Sequence, residues 1–262
     1  PDCVITVNDV ANVTQFDTIN GKTTSNVILA GGVSDVGSKF ADTDGNATAS
    51  LTAMTTQDPD VAITVTDVIN IAQAQTIANA TTGAVVFQGG ISDSLTNLAT
   101  GGAVKTATTV TVTHDPDVVI TITGNLVGTN VADLNAVTGS TTGEVTATIS
   151  GTAAQLDDLS SPNTKDDLTI TVSDEVTVAQ GNTIAKATTN AAVDFSAAGV
   201  NDAFANMLNG NAVHASLTQI VTKDDDVKIV ISDTIENASA DNITQLNAVG
   251  NTTTGIVQVT ID

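Results

Sequence analysis

One strand sequence, each time preceded by acidic residues, recurs along this chain, and this recurrence limits the fold more than any other feature. The segments are "DPDVAITVTD" at 58–67, "DPDVVITITG" at 115–124 and "DDDVKIVISD" at 224–233. The strand cores begin at Ile5, Ile63, Ile120, Ile170 and Ile229, so successive copies lie 58, 57, 50 and 59 residues apart. Five copies at a period of this length indicate a tandem repeat array.

We predict a single array over residues 1–262, with repeat units at 1–57, 58–114, 115–166, 167–223 and 224–262, the last one incomplete. The outermost repeats of a finished array are usually polar caps. Neither end of this sequence has that character, so we expect a section of a longer array or a subunit that neighbouring copies complete.

Each repeat unit opens with a strand and a helix. Apolar and hydroxylated residues alternate over residues 61–66, as in a half-buried strand. A helix is predicted for the next segment, 70–80, and it ends at the "TTG" triplet 81–83, whose glycine we interpret as a left-handed stop. Capping boxes are predicted at Asn12 with Gln15, Asn70 with Gln73, and Thr177 with Gln180.

A second strand, such as 85–93, then leads into a short helix, such as 94–99 or 152–159. Acids that follow this strand are placed as helix N-caps at Asp35, Asp93 and Asp202. We predict a third strand at 107–114, which the third repeat unit lacks. Glycine pairs within the second strands, at 31–32 and 89–90, indicate bulges or close backbone contacts.

Strands that are joined by helices pair in parallel. The predicted fold is therefore an α/β repeat, a solenoid of stacked strand–helix coils with a parallel β-sheet. Small aliphatic layers suit the composition, because the chain has no Trp or Tyr and only 2% aromatic residues. The alternative is a row of tandem all-β sandwich modules with the Ala- and Gln-rich segments as loops. We favour the solenoid because the capping boxes recur at equivalent places.

The formal charge of −22 excludes several partners. Phosphate backbones would be repelled, so no nucleic-acid binding is predicted, and anionic membrane surfaces are disfavoured for the same reason. No apolar run is long enough for membrane insertion. The single cysteine, Cys3, rules out an internal disulfide framework; we expect it to be buried, with a bridge to another chain as the alternative.

The acids before the strands are the candidate metal ligands. They are Asp58 with Asp60, Asp115 with Asp117, Asp166 with Asp167, and Asp224 with Asp226. Stacked repeat units would align these turns into a column of carboxylates that Ca²⁺ could neutralise, although two acids per turn are fewer oxygens than calcium takes. The simpler interpretation is a compact, hydrated corner, because Asp and Pro are preferred turn residues.

Little else in the sequence predicts chemistry. A threonine row such as 109–114 could present a hydroxyl lattice to ice or a glycan, but threonine also simply favours exposed strand faces. His114 and His214 have no counterparts in the other copies and are expected to be solvated. No nucleophile elbow, phosphate loop or zinc spacing occurs, and aromatic sugar platforms are missing, so no enzyme is predicted.

The phrases "ITVSDEVTVAQGNTIAKATTN" (170–190) and "GEVTATISGTAAQLDDL" (143–159) resemble tandem Thr/Ala/Asp-rich repeats of very large bacterial surface and secreted proteins, those of marine cyanobacteria especially. The likeness covers essentially the whole chain. It implies an extracellular or cell-surface location and a structural or adhesive role, as in a surface layer (S-layer), adhesin stalk or filament, and it carries over no catalytic residue.

We therefore expect a non-enzymatic structural repeat segment that gives a stiff acidic scaffold. Its expected partners are copies of itself or neighbouring repeats of a longer chain, with a cell-surface glycan as a further option. A calcium-dependent adhesin or binding module is the alternative function. A polysaccharide-acting β-helix enzyme is the third.

Overall fold

A computed structural model of the chain describes residues 2–160, 164–189, 191–195, 199–236 and 239–262. The chain forms two compact bodies. The first body consists of Pro1–Thr123 and Ala136–Val145, and the second of Gly124–Asn135 and Thr146–Asp262. Whether the repeat units form one array over 1–262 stays a prediction.

Short strands alternate with helices in both bodies. The first body contains β1 (Ile5–Thr6), α1 (Val13–Asn20), β2 (Val27–Ile28), β3 (Val33–Asp35), a 3-10 helix (Gly37–Lys39), α2 (Ala49–Gln57), β4 (Ile63–Val65), α3 (Ile71–Ala80), β5 (Val85–Phe87), β6 (Ile91–Ser94), α4 (Leu95–Leu98), β7 (Ala99–Thr100), β8 (Ala103–Val104) and α5 (Thr106–His114). Residues of both bodies occur in β9 (Ile120–Val127), α6 (Val131–Thr138) and β10 (Val145–Gly151).

The second body also contains two 3-10 helices, Gly128–Asn130 and Phe204–Met207. Its further elements are α7 (Ala153–Leu156), β11 (Asp167–Val172), α8 (Val178–Lys186), β12 (Val193–Asp194), β13 (Val200–Asp202), β14 (Leu208–Asn209), β15 (Ala212–Val213), α9 (Ala215–Lys223), β16 (Ile229–Ile235), α10 (Ala240–Gly250) and β17 (Val257–Ile261).

Parallel pairing dominates the sheets. In the first body β1 pairs with β2, β3 with β4, β4 with β5, and β6 with β9. In the second body β10 pairs with β11, β11 with β12, β13 with β16, and β16 with β17. A mixed α/β fold with several parallel sheets is therefore confirmed. The alternative of all-β sandwich modules is wrong, because the Ala- and Gln-rich segment 71–80 is the helix α3 and not a loop.

Strand and helix patterns produce the core that the sequence predicts. Ile63 and Val65 are fully buried on one face of β4, whereas Thr66, just beyond the strand, is exposed. The apolar stripe of α3, including Ile71 and Ile77, is buried as well, and this helix contacts β5 and β6. All three predicted capping boxes form, at the first turns of α1, α3 and α8.

The segment 107–114 lies in the helix α5, so the predicted third strand is wrong. The hydroxyls of Thr109, Thr111 and Thr113 donate to carbonyl oxygens four residues earlier, at 3.3, 2.9 and 2.7 Å. These bonds satisfy the threonine hydroxyls within the helix, and the packing of α5 against α3 outweighs the β-propensity of threonine. A flat threonine lattice at 109–114 is therefore excluded. Equivalent helices, α2 and α9, occur in two further repeat units.

The strand-end acids Asp35, Asp93 and Asp202 join two elements each. One carboxylate oxygen accepts the N–H of the next residue, at 2.9, 2.7 and 2.8 Å respectively. The other oxygen accepts the first N–H of the preceding long helix, from Val13, Ile71 and Val178, at 3.1, 3.0 and 2.9 Å. Each acid lies one residue before the N-cap of the next short helix, so the prediction of simple N-caps is wrong.

Candidate functional site

The acidic turns that follow the third helix of a repeat unit are the most distinctive polar sites in the described chain. Asp58, Asp115 and Asp224 occupy the C-cap positions of α2, α5 and α9. Asp58 is only 8% exposed and Asp115 only 6%, while Asp224 is half-buried. A carboxylate at a helix C-terminus faces the negative end of the helix dipole, so this position does not by itself stabilise an ionised acid.

Each of these three carboxylates accepts a backbone N–H from 28 or 29 residues upstream. The Oδ2 atom of Asp58 accepts the Leu29 N–H at 2.6 Å, that of Asp115 the Phe87 N–H at 2.7 Å, and that of Asp224 the Phe195 N–H at 2.6 Å. We call each of these contacts an acid latch. A hydrogen bond to a charged acceptor contributes about 1.5–3 kcal/mol, so the latches are substantial long-range contacts.

The latched amides lie where the second strand changes its partner. Up to Phe87 the chain runs in β5 beside β4, and from Ile91 it runs in β6 beside β9. The same change occurs between β2 and β3 and between β12 and β13. The acid supplies an acceptor to an amide at a sideways step of the chain. We call this feature the strand step.

Glycines make the strand step sterically feasible. A Cβ atom on Gly89 would lie 2.1 Å from the backbone carbon of Asp67, and one on Gly31 would lie 2.3 Å from that of Asp9. The next glycine, Gly90, has a φ of +78°, which side chains rarely adopt. The predicted close backbone contacts at the glycine pairs are therefore confirmed.

A second acid stands two residues after each latch acid. Asp60, Asp117 and Asp226 are exposed, and each raises the pKa of its latch partner through its charge and a side-chain hydrogen bond. Burial is the larger cause: it raises the pKa of Asp58, of Asp115 and of Asp224, the last to about 6, while the latched amide lowers it. Asp194 adds a further negative charge near Asp224.

The fourth predicted pair, Asp166 and Asp167, is shifted by one residue relative to the other three. Thr189 donates its N–H to the Asp166 carbonyl oxygen at 3.0 Å, just as Thr82 donates to that of Pro59 at 2.9 Å. Asp166 therefore takes the place of Pro59, and Lys165 takes the place of the latch acid. Asp166 is fully buried, and Oδ1 of Asp167 is buried without a hydrogen-bond partner in the described structure.

The "TTG" triplets form part of the same site, which the sequence interpretation missed. The Thr81 hydroxyl donates to the Val61 carbonyl at 2.7 Å and accepts the Gly83 N–H at 2.9 Å. Thr141 and Thr253 make the same pair of contacts in their repeat units. A Cβ on Gly83 would lie 2.1 Å from the Asp60 carbonyl oxygen. This glycine is therefore required for close packing, and the predicted left-handed stop is wrong, since its φ is not positive.

The recurrence of Thr-Thr after each acid pair, with the first threonine 23, 26 and 29 residues after Asp58, Asp115 and Asp224, was the available signal for this clamp. A hydroxyl that both donates and accepts can tie a strand to a returning turn without a charge. The clamp and the latch together fix the acidic turn from two directions. In each turn, backbone groups thus engage one oxygen of the latch acid and the clamp hydroxyl.

The remaining candidate residues do not join this site. His214 caps α9, with its Nδ1 accepting the Ser216 N–H at 3.2 Å, and His114 lies in the last turn of α5. Cys3 is exposed, so the expectation of a buried cysteine is wrong. Among the residues that the structure describes, no three His, Cys, Asp or Glu side chains group as a metal site would require. Calcium binding by the acid pairs stays a prediction.

No protein-family model matches this chain, and comparisons with curated proteins and with solved structures found no match. Within the described ranges, every helix is too short or too polar to cross a membrane.

Proposed function

We propose that this chain is a non-enzymatic structural segment in which successive repeat units stack as an α/β solenoid. Its role would be to provide a stiff acidic scaffold in an extracellular or cell-surface protein. Copies of the chain, or neighbouring repeats of a longer one, would be its natural partners.

The observation that carries this proposal is that the same contacts join successive repeat units at several places. In the first body, Asp67 accepts the Gly37 N–H at 2.6 Å from the preceding repeat unit. In the second body, Asp233 accepts the Phe204 N–H at 2.7 Å in the equivalent way. Parallel strand pairs and acid latches accompany these contacts. Repetition of one interface is the property by which stacked units build a continuous core.

The chemistry of the surface supports a scaffold as well. The polar groups with the most constrained geometry, the latch acids and the clamp threonines, are engaged by backbone groups of the chain itself. A net charge of −22 favours solubility and keeps unspecific contacts weak. Both features suit a passive structural element in an aqueous, salt-containing environment.

Removal of one repeat unit tests the proposal. A variant without residues 58–114 joins equivalent positions, so it should fold cooperatively, as judged by circular dichroism and denaturant unfolding. Each repeat unit contributes two strands to the sheets, so the maximum dimension measured by small-angle X-ray scattering should fall by about 10 Å. A matched variant without 58–86 removes half a repeat unit, breaks the register, and should lose the cooperative transition. An unfolded 58–114 deletion, or one with an unchanged maximum dimension, would contradict the solenoid.

A further inference from the structure

The outer edge of the first repeat unit carries an open groove of about 380 Å³. It adjoins β1, which pairs only with β2 among the described strands. Val7, Ala11 and Ile19 contribute apolar surface to the groove, and Asp9, Gln15 and Thr18 contribute polar groups. Val7 is half-buried here, whereas the equivalent Val65 of β4 is fully buried.

The second repeat unit shows what covers this surface when it is occupied. There the segment 33–45 lies over it: Val33 donates its N–H to the Ala62 carbonyl at 2.8 Å, and Thr66 donates to the Asp35 carbonyl at 3.0 Å. Four side chains of the second repeat unit also bind backbone groups of this segment. The Asp67 carboxylate accepts the Gly37 N–H at 2.6 Å. The other three donate to carbonyl oxygens: Asn70 Nδ2 to Thr43 at 2.7 Å, Gln73 Nε2 to Ala41 at 2.9 Å, and the Thr76 hydroxyl to Gly45 at 2.5 Å.

The first repeat unit retains every one of these side-chain types 58 residues earlier, as Asp9, Asn12, Gln15 and Thr18. In the described structure, no hydrogen bond engages the Asp9 carboxylate, Asn12 Nδ2 or Gln15 Nε2, although the side-chain Oε1 of Gln15 accepts the Asn12 N–H in the capping box. The Thr18 hydroxyl donates to the Thr14 carbonyl at 2.8 Å and would have to turn away from it to bind an incoming turn. The groove therefore presents a complete set of groups whose partners are known from the neighbouring repeat unit.

The second body contains an independent example of the same interface. Asp233 accepts the Phe204 N–H at 2.7 Å, and Gln245 donates to the Gly210 carbonyl at 3.1 Å. In both cases the covering segment is a strand, then a 3-10 helix, then a short turn with a glycine carbonyl. A buried phenylalanine lies directly after the helix in the first body (Phe40) and at its first position in the second (Phe204). Each body thus shows independently which chemical groups a covering segment offers to such a surface.

We propose that the groove beside β1 is a docking site for the strand, 3-10 helix and turn of another copy of this repeat unit. The incoming strand would add parallel to β1, donating an N–H to the Val4 carbonyl and accepting one from Asn8, as β-augmentation requires. Its helical N–H would bind Asp9, and its phenylalanine would pack beside the apolar groove. This inference rests on the proposed stacking of repeat units and names the partner of the first one.

A fluorescent peptide with the sequence of residues 33–48 provides the probe, titrated against the full chain and followed by anisotropy. We expect saturable binding with a Kd below about 1 mM, and a loss of about tenfold in the Asp9→Asn variant, because the acceptor of the incoming N–H loses its charge. Asp44→Asn removes the same charge from an exposed acid outside the groove and should leave the affinity unchanged. Thr14→Arg, which fills the groove, should weaken binding independently of Asp9. A peptide with alanine in place of its phenylalanine should bind more weakly to the wild type.

Absence of saturable binding at about 1 mM peptide, which corresponds to only about 4 kcal/mol of binding energy, would overturn the docking site. Equal losses in Asp9→Asn and Asp44→Asn would overturn it too, because the affinity would then reflect net charge alone. Circular dichroism of each variant establishes that the fold is retained. The outcome is separable from that of the 58–114 deletion: a shortened, folded deletion variant without peptide binding refutes the docking site and leaves the scaffold standing.

Discussion

The strand steps and the straight strand β10 differ in how the backbone groups of the second strand are hydrogen-bonded. At the step between β5 and β6 the chain changes its strand partner within a few residues, and the Phe87 amide is taken by the side chain of Asp115. In the second body β10 runs without interruption, and Thr146–Gly151 pair with Asp167–Val172 over six consecutive positions. The repeat position of the latch acid is occupied there by Lys165.

The difference follows the presence of the third helix. Helices α2, α5 and α9 each end in a latch acid, and each belongs to a repeat unit whose second strand makes a step. Among the described residues between α7 and β11, the third repeat unit contains no such helix; its second strand, β10, makes no step, and Lys165 stands at the position of the latch acid. The third helix, the strand step and the latch acid therefore occur together in a repeat unit. The primary role of the recurring acids is to accept hydrogen bonds from the backbone amides that the strand steps displace.

The largest contrast is expected for glycine substitutions at the two kinds of strand. Gly89→Ala places a methyl group 2.1 Å from backbone atoms that cannot yield, so the free energy of unfolding should fall by more than about 3 kcal/mol. In β10, Gly151→Ala meets its nearest atom, the Gly128 Cα, at 3.0 Å and should cost about 1 kcal/mol. Urea unfolding of both variants measures the difference, and equal losses would show that the step is no tighter than the straight strand.

The latch itself can be removed. Asp115→Ala leaves the Phe87 N–H buried without an acceptor and should lower the free energy of unfolding by about 1–3 kcal/mol. The reverse change, Lys165→Asp, introduces an acid where no strand step exists, so it should give no stabilisation. A gain of stability in Lys165→Asp would show that an acid at this position stabilises the chain without a strand step, and this result would contradict the comparison.

Much of this architecture could be predicted from the sequence because its signals are local. The alternation around Ile63 and the Asn70–Gln73 capping box each lie within a few residues, and the period of the array follows from counting. Parallel pairing then follows from the helical connections. The segment 107–114 misled the prediction, because threonines alternate there with apolar residues.

Comparison of the repeat copies would have predicted the helix α5 in this segment. Leu51 with Met54 and Leu217 with Ile220 are buried at a spacing of three residues, as Thr108 and Thr111 are in α5. That spacing is helical. The latches were beyond prediction for another reason. The acids are visible as a repeat, but their acceptor role depends on a step in a strand 28 or 29 residues upstream, and no local pattern encodes that distance.

The latches should also make stability depend on pH. Asp58, Asp115 and Asp224 have raised pKa values in the folded chain, that of Asp224 about 6, so above the usual aspartate pKa of 3.8 the folded state binds more protons than the unfolded one. The part of the stability that depends on the protonation of these acids is full below the unfolded pKa and is lost as the pH rises through the folded pKa. We expect a melting temperature about 5 °C higher near pH 5 than near pH 7.5.

Substitution of all three latch acids by asparagine tests the source of this dependence. Asparagine retains an acceptor oxygen for the latched amide but does not titrate, so the variant should show a flatter profile and a higher melting temperature at pH 7.5. The matched control replaces the exposed acids Asp44, Asp158 and Asp241, which removes the same number of charges. If the control flattens the profile equally, the general charge of the chain is the cause and the latches are not.

The smallest effect is expected from removal of calcium. At a latched turn one carboxylate oxygen already accepts an amide, so Asp115 and Asp117 leave fewer than the six to eight oxygens that calcium takes. Addition of EDTA should therefore shift the melting temperature by less than about 1 °C, because calcium stabilises the folded chain only to the extent that it is bound. A shift of several degrees that disappears in Asp117→Asn would contradict this expectation and support the calcium-dependent alternative. Because Lys165 replaces the latch acid at the straight strand, such a site would belong to the strand steps alone, and calcium would then strengthen one kind of boundary between repeat units and not the other.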